Sequence, residues 1–396
     1  MPRREDSMDG SLTGDPADRV SVIRRAEASA DDPASIVAIH DALAAEPLSL
    51  VALFVSPSAD FAGIMASAAA AFGETPVIGC TTAGEIGAGG YDEGRIVAIG
   101  FPAKHFVSDS VLITRLAALD AQELIPRMIR TRARLTADRP DWSTEFGLLL
   151  VDGLSLMEDR LAAACADALG PIPFFGGSAG DGTRFLETAV SLGGKVYTDA
   201  AILTYLRTAC RVEVFSLDHL TPTGRRMVVT RADPARRIVQ EINAEPAARE
   251  YARLLGKDPE QLDTFTFAAH PVVVRFGGTH HVRSIQRVTP EGELIFFSAI
   301  EEGLVLTLAD AEPMVDHLDR ALSGLGDGEE PGAIIACDCI LRRMEAHQRQ
   351  MLRPISDTLA RHGVVGFSTY GEQFGPLHVN QTMTGVAIWP PDDAGR

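Results

Sequence analysis

A chain of 396 residues exceeds what one hydrophobic core usually serves, so two domains are expected, and 46% hydrophobic against 23% charged residues is the balance of a globular protein. The 54 acidic residues outnumber the 36 basic ones, and the resulting net charge of -18 repels nucleic acid and the anionic inner membrane face. No apolar run reaches the roughly 18 to 20 residues a bilayer needs. Five cysteines, an odd number without framework spacing, fit a reducing compartment, and with no apolar leader a cytoplasmic location is expected.

In chain order, the polar stretch 1–19 is expected to be a disordered tail. Residues 20–23 and 48–55 read as strands, and Asp32 with Pro33 opens a helix over 34–45. A helix at 61–72, a short strand at 76–79, a Gly-rich turn and a strand at 95–101 follow. A strand-helix unit occupies 146–169. Short strands are expected at 174–176, 185–191, 200–206, 211–216 and 227–231, where branched or aromatic runs are bounded by turn residues. A helix over 235–256, with Pro246 inside it, marks the expected domain boundary at 244/245. Hairpin-like strands come next at 272–275, 280–288, 294–298 and 304–308. Helices at 311–322 and 341–361 lead into closing strands at 364–368 and 383–389, and 391–396 reads as a second tail. The fold class expected is α/β (mixed α+β), two modules of mixed sheets flanked by helices.

One repeat organises this pattern. Val77-Ile-Gly-Cys-Thr-Thr-Ala-Gly-Glu85 aligns with Val364-Val-Gly-Phe-Ser-Thr-Tyr-Gly-Glu372, and Ser178-Ala-Gly-Asp181 is a weaker third copy. Two equivalent halves around a common centre would account for it. Gly84, Gly180 and Gly371 are expected at positive φ. Thr82 and Glu85, Ser178 and Asp181, and Tyr370 and Glu372 then lie near strand ends, where mixed sheets bind ligands. The competing reading is that these hydroxyls and acids only satisfy turn amides. Downstream, His378-x-Asn380-x-Thr382 places three polar side chains on one strand face, either to bind a polar ligand or to fix the 370–372 turn.

The segments 77–86 and 174–181 resemble the signature of FIST N domains, and 364–375 with 378–384 resembles the closing segment of FIST C domains. The resemblance implies a FIST N domain at 20–244, a FIST C domain at 245–390, and a small-ligand sensory role in bacterial signal transduction rather than catalysis. Members of this length are similar to NosP-type nitric-oxide-sensing haemoproteins, which implies haem b and output to a separate histidine kinase or cyclic-di-GMP enzyme. Within that resemblance His270 is the expected axial ligand, because Phe267 and Phe276 flank it with apolar surface and Arg275 can pair with a propionate. His280 and His281 point to opposite faces of one strand, and His317 and His347 are expected to face solvent. The alternative is a haem-free module that binds an amino acid or similar metabolite at the Gly-Glu turns.

An enzyme reading has less behind it. Gly176-Gly-Ser178-Ala-Gly180 matches the Gly-x-Ser-x-Gly nucleophile elbow, but a helix must follow such a serine and a turn is expected instead. No phosphate-binding loop, dinucleotide fingerprint or His-Glu-x-x-His is present. Cys337 and Cys339 share a strand face without a second ligand pair at zinc spacing.

Overall fold

The computed structural model describes residues 21–276 and 278–391. The expected tail at 1–19, and the one at 391–396 except its first residue, lie outside the described residues. The fold is mixed α/β.

Three units of one plan make up the core: edge strand, helix, central strand, helix, parallel strand, hairpin, return strand. The first runs through Arg24–Ser29, Ser35–Leu43, Leu48–Val55, Phe61–Phe72, Val77–Thr81, the hairpin Glu85–Gly87 with Gly90–Asp92, and Arg95–Pro102. The second runs through Phe106–Thr114, Ala121–Asp138, Thr144–Val151, Glu158–Leu169, Phe174–Ser178, the hairpin Val190–Leu192 with Lys195–Tyr197, and Ala200–Thr208. The third starts at Arg211–Leu217 and resumes after a long insertion with Met314–Ser323 and Ala333–Cys339. It ends with the helices Ile340–Gln348 and Leu352–Arg361, the strand Val364–Thr369, the hairpin Glu372–Phe374 with Leu377–Val379, and Met383–Trp389.

Each unit forms a sheet in the order edge, return, central, parallel, and each sheet is then extended by a hairpin from another unit. The first unit's hairpin pairs with Val364–Thr369, the second unit's with Val77–Thr81, and the third unit's with Phe174–Ser178. The exchange closes on itself.

Alternation along the central strands explains the layering. Leu50, Ala52 and Phe54, together with Phe146, Leu148 and Leu150 and with Ile335 and Cys337, turn to one shared core, in which Phe54 stacks on Phe367 at 4.4 Å. The intervening residues Val51 and Leu53, Leu149 and Val151, and Ile334 and Ala336 turn outward under the helices. Such strands read as continuous apolar runs because both faces are covered.

The insertion between Leu217 and Met314 builds a fourth sheet from Leu220–Asp233, Ile238–Ile242, Glu245–Pro246, Val272–Phe276, Thr279–Arg283, Ile285–Val288, Leu294–Phe296 and Val305–Ala311. Tyr251, Phe267, Phe296 and Leu306 lie in its own core. Strands on both sides of residue 244 pair within this sheet.

Several expectations change. The two equivalent halves are three units, the weak Ser178 copy being a full member. The first strand begins at Arg24 rather than at 20–23. The expected helix over 235–256 is the strand Ile238–Ile242 followed by a helix confined to Ala247–Leu255, because Ile238, Val239 and Ile242 bury into the inserted sheet. The helix expected over 341–361 breaks at Gln350, which takes φ 58°. The strand Phe106–Thr114 and the helix Ala121–Asp138, N-capped by Asp120, were not anticipated.

A glycine stands at the same place in each parallel strand. A Cβ at Gly79, Gly176 or Gly366 would sit 2.6, 2.2 or 1.8 Å from the carbonyl oxygen of Leu53, Leu149 or Ala336 on the adjacent central strand. Backbone cannot yield as a side-chain tip can, so Gly366→Ala is expected to cost roughly 3 kcal/mol of unfolding free energy. Urea denaturation checks this, and an unchanged midpoint would contradict the packing described.

Candidate functional site

The three signature turns meet where the parallel strands end. The Gly180 and Gly182 amides donate to Thr81 and Thr82 carbonyls, the Ala83 amide donates to Ser368 and the Ser368 amide to Gly84, and the Ser178 and Tyr370 amides bond to Gly371 and Ser178. The expected ligand-lining residues are therefore brought together around a common centre.

Their acids are engaged internally. Glu85 accepts the Thr82 hydroxyl and the Arg95 amide at 3.0 Å. Glu372 accepts the Thr369 hydroxyl, the Thr382 hydroxyl at 2.7 Å and the Thr382 amide at 3.3 Å. In the second unit Asp152 does the equivalent work, accepting the Thr188 hydroxyl and the Asp199 amide at 2.6 Å. Each clamp ties a hairpin to the start of a return strand. Burial pushes the Glu85 carboxyl up to about 7 and the Glu372 carboxyl up to about 8, against the Thr82 and the Thr369 and Thr382 hydrogen bonds that favour ionisation.

Asp181 differs. It accepts the amides of Phe185, Leu186 and Glu187 at 2.8, 3.0 and 3.0 Å and the Tyr370 hydroxyl. Burial would raise its pKa, but the Tyr370 hydroxyl and the three amides hold the carboxyl below its ordinary range. This cap winds 182–188 into a loop, so the strand expected over 185–191 shrinks to Val190–Leu192.

Only Gly84 of the three motif glycines takes a positive φ, 129°. Gly180 and Gly371 are needed for room instead: a Cβ would meet Ala83 at 2.7 Å or His378 at 2.2 Å. His378, Asn380 and Thr382 are all buried. Thr382 holds Glu372, Asn380 Nδ2 donates to the Tyr370 carbonyl at 3.5 Å, and the Gln373 amide lies 3.2 Å from His378 Nδ1, an arrangement that fixes the 370–372 turn. Ser178 is also buried, its hydroxyl accepts the Gln373 amide at 3.1 Å, and no helix follows it, so the elbow geometry is absent.

Beside the joined turns opens a cleft of about 600 Å³ between the core and the inserted sheet. One wall carries Gly153 to Glu158 in part, with Arg184, Phe185, Leu186 and Tyr370; the other carries Arg236, Arg237, Gln286, Arg287 and Phe297. The Phe185 ring stacks on Tyr370 at 4.4 Å and lies 5.7 Å from Phe297. Leu156, Phe185 and Arg237 hold φ of 58°, 55° and 54°, a left-handed backbone that bulky residues rarely adopt and that gathers at functional sites. Arg237 is buried and pins the insertion to the core, donating to the Phe297 carbonyl, to Glu158 at 2.7 Å and to Asp159 at 3.0 Å. Arg236 and Arg287 make no side-chain hydrogen bond or ion pair among the described residues. A second hollow of about 540 Å³, sharing Arg184, lies against Ala83, Gly84 and Glu85.

Phe267, His270 and Arg275, expected to hold a haem, do not together line any of the hollows of 540 to 600 Å³. Phe267 is in the insertion's core against Tyr251. Arg275 is exposed in a groove of about 580 Å³ with His280, and His270 is not among the residues lining it. His270 caps the helix Thr264–Ala269, half-buried, with its carbonyl taking the Tyr251 hydroxyl at 2.6 Å. Burial lowers its pKa, as do the cations of Lys257, Arg225 and Arg349. The Phe276 side chain lies outside the described residues. His317 is half-buried beside His219 rather than solvent-facing, whereas His347 is exposed. Cys337 and Cys339 are buried, and among the described residues no group of three or more His, Cys, Asp or Glu side chains is placed to hold a metal ion.

The cleft itself was not anticipated. Its arginines and aromatics come from five separated segments, of which only the one holding Tyr370 carries a local motif, and Phe185 and Leu186 read as strand. No helix among the described residues is long and apolar enough to cross a membrane.

The FIST N domain model matches residues 49–245 and the FIST C domain model matches residues 247–375. No curated protein matches the chain.

The raised pKa of Glu372 has a signed consequence. A folded-state value of about 8 against 4.5 means that the native state binds the proton more tightly, so its stabilising contribution is complete below about pH 4.5 and is lost as pH rises through about 8. Glu85 adds to the same trend up to about 7. Thermal melts from pH 5 to 8.5 are expected to show Glu372→Gln with a flatter decline than the parent. Parallel profiles would refute the assignment.

Proposed function

The chain belongs to the FIST domain family, whose members are small-ligand sensory domains of signalling proteins, and we propose that it senses its ligand in the cleft between the three-sheet core and the inserted sheet. What carries this reading is the clustering of three left-handed, non-glycine residues, Leu156, Phe185 and Arg237, on the walls of one cleft that two separately packed bodies share. Of the signature turns, Tyr370 reaches the wall of this cleft, while Glu85 and Glu372 are taken up by hairpin clamps.

A ligand spanning the cleft touches both bodies, so its affinity depends on how the insertion sits on the core. Differential affinity of this kind shifts the populations of two arrangements, and a complete switch requires about 10⁴-fold preference. Output passes to a separate protein, a histidine kinase or a cyclic-di-GMP enzyme being the classes the family resemblance suggests. Of the two ligand readings, a metabolite is favoured over haem-bound nitric oxide, because the cleft is built from polar and aromatic walls while the groove that holds Arg275 is lined by neither His270 nor Phe267.

Thermal-shift screening against a metabolite library is the test. A true ligand at 100 Kd should raise the melting temperature by on the order of 3 °C, and Gln286→Trp, which fills the cleft, should abolish the shift, while Arg275→Ala in the separate groove should retain it. Hits that stabilise Gln286→Trp equally would remove the cleft from consideration. In parallel, protein incubated with haem should remain without a Soret band; a band lost in His270→Ala would reinstate the haem reading.

A further inference from the structure

We propose that the cleft is selective for a small anion carried on a flat apolar body, an aromatic carboxylate or phosphate; this rests on the cleft being the ligand site. The cleft is lined by four arginines, Arg184, Arg236, Arg237 and Arg287, against one acid, Glu158, in a chain whose net charge is -18. That local reversal of sign concentrates anions against the field of the rest of the molecule.

The arginines are not equivalent. Arg237 and Glu158 neutralise each other in a buried pair at 2.7 Å and are not free to recognise anything. Arg184 Nε donates to the Asp181 carbonyl at 3.1 Å and stands 3.8 Å from its carboxylate, so Arg184 is partly engaged, though largely exposed. Arg236 and Arg287, both exposed and both on the inserted sheet's side, have no side-chain partner among the described residues. Two uncommitted guanidinium forks on one wall suit an oxyanion that presents two oxygens side by side, as carboxylate and phosphate both do, better than a point charge or a cation.

The opposite wall supplies the apolar half. Phe185 and Tyr370 form a stacked pair with Phe297 near it, and the Tyr370 hydroxyl is spent on Asp181, so this surface offers ring faces rather than donors. At the mouth, Leu186 is 77% and Leu156 48% exposed. Apolar side chains held out at a cleft's rim by a capped loop gain from being covered by an apolar ligand.

The test uses 1-anilinonaphthalene-8-sulfonate as the anionic flat probe and N-phenyl-1-naphthylamine as its neutral counterpart, on the full chain. The anionic probe should bind one per chain, and the double variant Arg236→Ala with Arg287→Ala should weaken it tenfold or more at an unchanged melting temperature. The neutral probe should bind more weakly and be indifferent to that pair. Gln286→Trp should block both probes. Competition by 1-naphthoate against 1-naphthyl phosphate then ranks carboxylate and phosphate. If the arginine pair does not alter the anionic probe, or the neutral probe binds as tightly, selectivity for anions is overturned while the cleft stands through Gln286→Trp. If Gln286→Trp also changes neither probe, the cleft itself fails.

Discussion

The closed exchange of hairpins constrains everything else in the molecule. Each six-stranded sheet takes its last two strands from another unit, and the order in which hairpins are given returns to its starting point. No unit can satisfy the backbone edge of its own parallel strand, because the strand that covers Val77–Thr81 lies in the second unit and the one that covers Phe174–Ser178 lies in the third. An unpaired buried edge is costly, so the units are committed to one another. The boundary between the two family-model matches, at 245/247, therefore does not separate two independent sheets: Arg211–Leu217 pairs with Met383–Trp389 across it.

A buried polar network reinforces the same joints. Arg342, fully buried, donates to Asp338 at 2.7 Å and to His219 Nδ1 at 2.9 Å. A guanidinium has no acceptor, so Nδ1 of His219 must be the accepting nitrogen and Nε2 carries the proton toward Glu345 at 3.0 Å. Tyr91, from the first unit's hairpin, donates to Asp338. One chain of contacts thus joins the first hairpin, the third unit's helix and His219, just before the inserted sheet's first strand. Buried ion pairs add little net stability, but breaking one leaves an uncompensated charge, which holds these elements in one register.

How much of this was legible follows from where the information sits. The repeat at Val77, Ser178 and Val364 announced equivalent units because its determinants are local: a glycine under a neighbouring carbonyl, a hydroxyl, an acid. Helices with a complete signal, such as Phe61–Phe72 behind Asp60, were placed to the residue. The third unit's integrity was hidden, since almost a hundred residues of inserted sheet separate its edge strand from its next helix. Phe185 and Leu186 carry strand composition, and only Asp181, gathering their amides, makes them a loop. The pairing of Asp152 with Thr188, which replaces the missing glutamate of the second unit, has no signature because its partners lie 36 residues apart.

The location of the cleft follows from this division of rigidity. The core is interlocked three ways, whereas the insertion has its own apolar core, and Arg237 with its two acids is a principal polar tie between them. The joint also carries buried bonds from Gln381 to Ser284 and to the Ala268 carbonyl, and an apolar cluster in which Ala268 and Phe297 meet Leu341 and Tyr370. The left-handed backbones of Leu156 and Phe185 on one side and of Arg237 on the other are maintained because each body over-determines its own loops, Asp181 fixing Phe185 and the Pro234–Arg236 turn fixing Arg237. On the reading of the cleft as the ligand site, the groups that touch a ligand are held in place on both walls, and a response to occupancy has to pass through the joint between them.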